Sequence, residues 1–200
     1  MATTFNALLS RAAASDIQSG QKGALTWFKD AATKFSNIER NKIMREEQAS
    51  LVPNINTRSI GKMYMFYYDP KGKDILPYYD RFPLVFPFKI APDGFYGLNL
   101  HYIAPMLRAK LMDAFYDIIN NDKYDITTKI KLNYQILNAS SKYKYYKPCV
   151  KRYLTTHVKS KFLYVDPTKW DAALFLPTEK FKGSSKKNVW LESSKMIYGR

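Results

Sequence analysis

The sequence predicts an α+β protein with an N-terminal helical arm, a small antiparallel sheet that is curled or barrel-like, and a basic helical C-terminal half. Three observations carry this. Apolar residues recur at helical spacing before residue 48 and again after residue 105. Aromatic-rich runs broken by Pro and Gly turns fill 62–103. Residues 121–200 hold 17 Lys or Arg against 6 Asp or Glu, which is +11 of the net +15. The corresponding organisation is an arm over 1–50, a core over 51–182 and a basic tail over 183–200.

Residues 3–18 and 24–48 read as two helices separated by Gly20 and Gly23, with Trp27, Ala31, Phe35 and Ile38 on one stripe of the second. "ASLVPNINTRSIG" then reads as an extended linker. Such a linker allows the helices to sit on a neighbouring subunit or to cover their own sheet. "KMYMFYYD" (62–69) is the first strand. "FPLVFPFKI" (82–90) and "FYGLNLHYI" (95–103) form a hairpin around "APDG", whose Pro and Gly suit a turn. Pro83 and Pro87 cannot donate ladder hydrogen bonds, so that strand is expected at an edge or bulged.

Helices follow. Pro105 opens one carrying Leu107, Leu111, Ala114, Phe115 and Ile118, which ends at Asn120–Asn121. A second runs over about 127–139, with Ile130, Tyr134 and Leu137 on one face. A third, over about 149–159, turns Val150, Tyr153, Leu154 and Val158 inward. "KFLYV" (161–165) is a last strand. "DPTKWDAALFL" opens a short helix with Asp166 as N-cap and Pro167 at its first position. The tail "KFKGSSKKNVWLESSK" reads as loosely structured, with Trp190 as a docking anchor.

The most specific chemical feature is the charge distribution. Between Ile126 and Val165 there are nine Lys or Arg and no acid. Such a block repels itself unless a polyanion or an acidic protein neutralises it, solubility alone being the plain alternative. Lys142, Lys144, Lys147, Lys151, Arg152, Lys159 and Lys161 are placed to follow a phosphate backbone, which gives affinity without reading sequence. Tyr143, Tyr145 and Tyr146 are candidates for stacking on bases, with one or two of them expected to pack into the core instead. A single Arg in the block argues against base-specific recognition. The 16 Tyr and 12 Phe suit half-wet positions and, with them, assembly into an oligomer.

Other chemistry is weakly signalled. No Gly-rich phosphate-binding loop is present. His101 and His157 are too few for a histidine metal site, and His101 reads as a hydrogen-bonded structural residue. Cys149 is the only cysteine, which excludes an internal disulfide and a cysteine zinc site. At a helix start beside cations, its pKa would be lowered. Asp69 and Lys71, with Asp74 close by, are the nearest match to a metal-dependent nuclease centre, but a solvated turn around Pro70 and Gly72 explains them without remainder. No cofactor or metal is expected. No apolar run reaches the ~18–20 residues of a bilayer span, and the first residues lack the apolar core of a secretory signal.

"GKMYMFYYDPKGKDILPYYDRFPLVFPF", "DGFYGLNLHYI", "YKPCVKRYL" and "DPTKWDAALFLPTEKF" together resemble the small virion structural proteins of T4-like tailed phages. Among these the chain is most similar to the DNA end protectors. The resemblance implies a non-enzymatic virion component, assembled in the host bacterial cytoplasm and lodged at the neck or DNA terminus. Its partners would be double-stranded DNA, through the basic face, and other virion proteins. A baseplate or tail subunit whose basic face meets acidic neighbours is the alternative within the same group.

Overall fold

The computed structural model describes residues 4–20, 22–35 and 38–199. Helix α1 (Thr4–Ala14) buries Phe5, Leu8 and Ala12, and α2 (Lys22–Ala32) buries Leu25 and Phe28. The expected single helix over 24–48 is broken. At Thr33 both the backbone N–H and the hydroxyl turn back to the Asp30 carbonyl, and helix resumes only as α3 (Arg40–Glu46).

Of the two placements open to these helices, the structure has them on their own chain. They pack on α4 (Pro105–Ile119) and on the buried α6 (Trp170–Phe175). Asp171 of α6 fastens them, accepting from the Ser19 hydroxyl at 2.9 Å, the Gly20 N–H at 2.7 Å and the Tyr116 hydroxyl.

Among the described residues, eight strands form two sheets: β1 (Leu51–Val52), β2 (Met63–Met65), β3 (Tyr79–Asp80), β4 (Leu84–Ala91), β5 (Gly94–Asn99), β6 (Val150–Leu154), β7 (Phe162–Val165) and β8 (Phe181–Lys182). The larger is antiparallel in the order β1-β7-β2-β4-β5-β6, and β3 pairs with β8 separately. Met63, Met65, Leu84, Phe86, Leu98, Leu163 and Val165 belong to the main core with the helices. Tyr64, Phe66, Val85, Phe95, Tyr153 and Phe162 form a second aromatic cluster.

That second cluster shows how far the sheet bends. Phe95 of β5 and Phe162 of β7 lie three strands apart, about 14 Å in a flat sheet, yet their ring centroids are 6.0 Å apart. The sheet is therefore tightly curled. It does not close into a barrel: β1 and β6 remain its two edges.

Pro83 and Pro87 are accommodated in a way that combines the two expectations. Strand β4 is central at Val85, which pairs with both β2 and β5. Because β2 is only three residues long, β4 has no neighbour on that side from Phe86 onward, and its register with β5 shifts between Pro87 and Lys89.

The basic half is less helical than expected. Helix α5 (Ile126–Lys142) forms, N-capped by the Asp125 side chain on the Thr128 N–H. The expected helix over 149–159 is instead strand β6, paired with β5 from Gly94↔Leu154 to Leu98↔Val150, followed by a turn over 155–157. Val150, Lys151, Arg152, Tyr153 and Leu154 suit either period over so short a run, and the open edge of β5 decides between them. The tail is not loose. Residues Lys186–Tyr198 form α7, which buries Val189, Ser193 and Ile197.

Candidate nucleic-acid interface

The acid-free segment is dispersed by the fold into three groups. Lys142 ends α5, Tyr143 caps it in an extended conformation, and Lys144, Tyr145, Tyr146 and Lys147 form the turn leading to β6. Lys151 and Arg152 lie on β6. Lys159 and Lys161 lie on the connection from β6 to β7.

The two β6 cations each have a partner within the fold. The Lys151 ammonium sits 4.0 Å from the centre of the Tyr102 ring, and burial pushes its pKa down. One Arg152 guanidinium nitrogen donates to both carboxylate oxygens of Asp93, at 2.6 and 2.8 Å. The acid missing from 126–165 is thus supplied by the β4–β5 turn. On an edge strand these side chains also discourage pairing with another sheet.

Lys142, Lys144, Lys147, Lys159 and Lys161 are exposed, and none of them forms an ion pair among the described residues. Of the tyrosines, Tyr143 and Tyr145 are largely exposed. Tyr146 packs against the main core, where burial pushes its hydroxyl up to about 12. The division between surface and core that the sequence left open falls between Tyr145 and Tyr146.

Tyr145 does not stand alone. Its ring meets that of Tyr198, at the end of α7, edge to face at 6.1 Å. Helix α7 packs on the 147–149 turn and brings Tyr198 beside the basic turn, with Leu191 and Lys195 lining an open recess on the same side of the helix. These residues went unnoticed in the sequence because the tail read as loose. Signals for the helix were present: Ser185, whose hydroxyl accepts from the Asn188 N–H, and Gly199, which ends the helix at φ 70°.

The remaining chemical candidates are structural in their surroundings. Asp69 pairs with Lys73 at 2.9 Å and not with Lys71, and its carbonyl meets His157 Nδ1 at 2.9 Å. The Cys149 thiol is fully buried, and that burial outweighs Lys151 and Arg108 to push it up to about 12. The expected lowering by cations is thereby reversed.

Asp80 Oδ2, His101 Nδ1, His101 Nε2 and Thr178 Oγ1 run carboxylate–imidazole–hydroxyl, with spacings of 2.7 and 3.2 Å. All three side chains are closed to solvent, and the arrangement holds β3, the turn after β5 and the chain before β8 together. Among the described residues no group of three or more His, Cys, Asp or Glu is placed to hold a metal ion, and no helix is long and apolar enough to cross a membrane.

Lys142, Lys144, Lys147, Lys159 and Lys161, with the solvent-facing Tyr143 and Tyr145, leave this α+β fold with a strongly cationic exposed surface. The chain belongs to the phage T4 terminal DNA protecting protein family, whose model matches residues 8–198. The family is one of phage DNA-terminus protectors, so the chain is a DNA-binding component of a phage virion. No curated protein and no solved structure matches it.

Proposed function

We propose that the chain covers the terminus of packaged phage DNA, holding the duplex through Lys142, Lys144 and Lys147 at the end of α5 and through Lys159 and Lys161 beyond β6. The carrying observation is that these five lysines stay exposed and form no ion pair among the described residues, while Asp93 pairs with Arg152 and Asp69 with Lys73. The two groups lie beyond opposite ends of β6, a strand about 15 Å long, which is a span of several phosphates. Contacts of this kind give affinity without sequence preference, as protection of an end requires. The protection is steric, by occupation of the terminus, with no bond broken. The terminus lies at the neck, where other virion proteins surround it in a symmetric assembly.

The test is titration of a fluorescent blunt duplex at several salt concentrations. Affinity should fall steeply with salt, and Lys144→Gln with Lys147→Gln should weaken binding and flatten that dependence. Absence of binding at low ionic strength rejects the DNA contact and favours an acidic protein neighbour for this face.

A further inference from the structure

Helix α7 is amphipathic toward the core and yet carries a second apolar stripe facing away from it. Val189, Ser193 and Ile197 turn inward; Leu191, Lys195 and Tyr198, at spacings of four and three, turn outward. Leu191 is 57% exposed, Tyr198 56%, Tyr145 48% and Tyr143 59%. The Tyr145–Tyr198 ring contact joins the stripe to the turn after α5, so residues from two elements make one surface. An open recess of about 590 Å³ lies along it, lined by Leu191, Ser194, Lys195 and Tyr198.

Cations accompany this surface: Lys195 lines the recess, and the exposed Lys142 and Lys144 lie in the same stretch of chain as Tyr145. Glu192, the one acid of α7, is directed to the Tyr78 hydroxyl instead. An exposed aromatic ring braced edge-on by a second, with lysines nearby, matches one feature of duplex DNA. Only at an end does a duplex present the open face of a base pair, bordered by phosphates; along its length every face is already stacked. Stacking on an aromatic side chain needs no particular base. A docking protein would need an apolar patch accompanied by acids to meet the same surface.

We propose that Tyr145 and Tyr198, one ring braced edge-on by the other and with Leu191 alongside, form a platform that stacks on the terminal base pair of the DNA, making this an end-specific site. The proposal rests on the reading that the neighbouring lysines hold DNA. It adds what they cannot supply, since phosphates along the duplex look alike to them.

Two probes separate the two ideas: a short blunt-ended duplex, and the same duplex closed at both ends by hairpin loops. The native chain should bind the open duplex on the order of tenfold more tightly. Tyr145→Ser and Tyr198→Ser should each remove most of that preference, leaving affinity for the closed duplex and its salt dependence unchanged. Tyr198→Phe should keep the preference. These side chains are half exposed, and unchanged circular dichroism and melting would show the variants folded. Equal salt-dependent binding of both probes, or a preference untouched by the serine variants, overturns the platform and leaves the lysine reading standing. Binding of neither probe overturns both. Loss of self-association in the variants, with DNA binding intact, assigns the stripe to a second copy of the chain and also overturns the platform.

Discussion

Asp80 accepts hydrogen bonds from the N–H groups of Phe82 and Lys180, the Asn99 amide and the His101 ring, in a position closed to water. Burial alone would push its carboxyl up. The imidazole of His101 and the converging N–H donors outweigh that and hold it below the usual 3.8. A folded-state pKa below the unfolded value means the group stabilises the fold fully above about pH 4. That contribution is lost as pH falls through the lower folded value. Asp80→Ala should destabilise the protein by about 3–5 kcal/mol in urea unfolding at pH 7, because the remaining partners are left buried and unmatched. The variant should also show a flatter loss of stability below pH 4. At the same scale, Lys151 and Lys144 make opposite predictions although they read alike in the sequence. Lys151→Ala should cost about 1 kcal/mol of stability through the lost Tyr102 contact and leave DNA binding near native. Lys144→Ala should leave stability unchanged and lower the salt slope of DNA binding by about 0.9.

At the scale of elements, the hairpin β4–β5 and its neighbour β6 depend on a glycine whose role is not the obvious one. "APDG" suits a turn, and the turn forms. Gly94, however, is not among the glycines at positive φ. A Cβ built there would lie 1.9 Å from the Tyr153 carbonyl oxygen and 3.1 Å from the Leu154 Cα, both backbone atoms of β6. Gly94→Ala should therefore push β6 off β5, at a cost of about 1–3 kcal/mol, and be visible as faster amide exchange over 150–154. Helix α7 makes the converse case. Ser185→Ala should remove a cap worth about 1 kcal/mol and so loosen the helix that carries Leu191 and Tyr198. The helical stretches with strong stripes, α1, α2, α4 and α5, were legible in the sequence. The β6 stretch was not, because five residues with apolar members at 150, 153 and 154 fit a helix until β5 is seen beside them.

For the whole molecule, the net charge of +15 overstates the surface available to DNA. Arg40 donates to the carbonyls of Thr178 and Glu179, Arg108 is buried and bonded to those of Ile103 and Leu174, and Lys169 pairs with Glu47. The five free lysines of the proposed interface give a log–log salt slope for duplex binding of about −4 to −5. A slope near −2 or −3 would show that only one of the two lysine groups meets DNA. The chain's own helices α1 and α2 complete the core through Phe5, Leu8 and Phe28, so removing them should unfold the protein and not merely detach an arm.

The sequence by itself determined the α+β class, the concentration of positive charge after residue 126, the resemblance to DNA end protectors and the structural character of His101. Those properties are local in composition or spacing, and they survive any packing consistent with the pattern. Only the tertiary structure decided which cations are free. Whether Arg152 meets a phosphate depends on Asp93, and whether Lys151 does depends on Tyr102; these partners lie 59 and 49 positions away and arrive only when β5 and β6 pair. The same holds for Tyr145 and Tyr198, brought together across 53 positions because α7 buries Val189, Ser193 and Ile197 against the core. Charge is written residue by residue, but a surface is made by what the fold has already neutralised or covered.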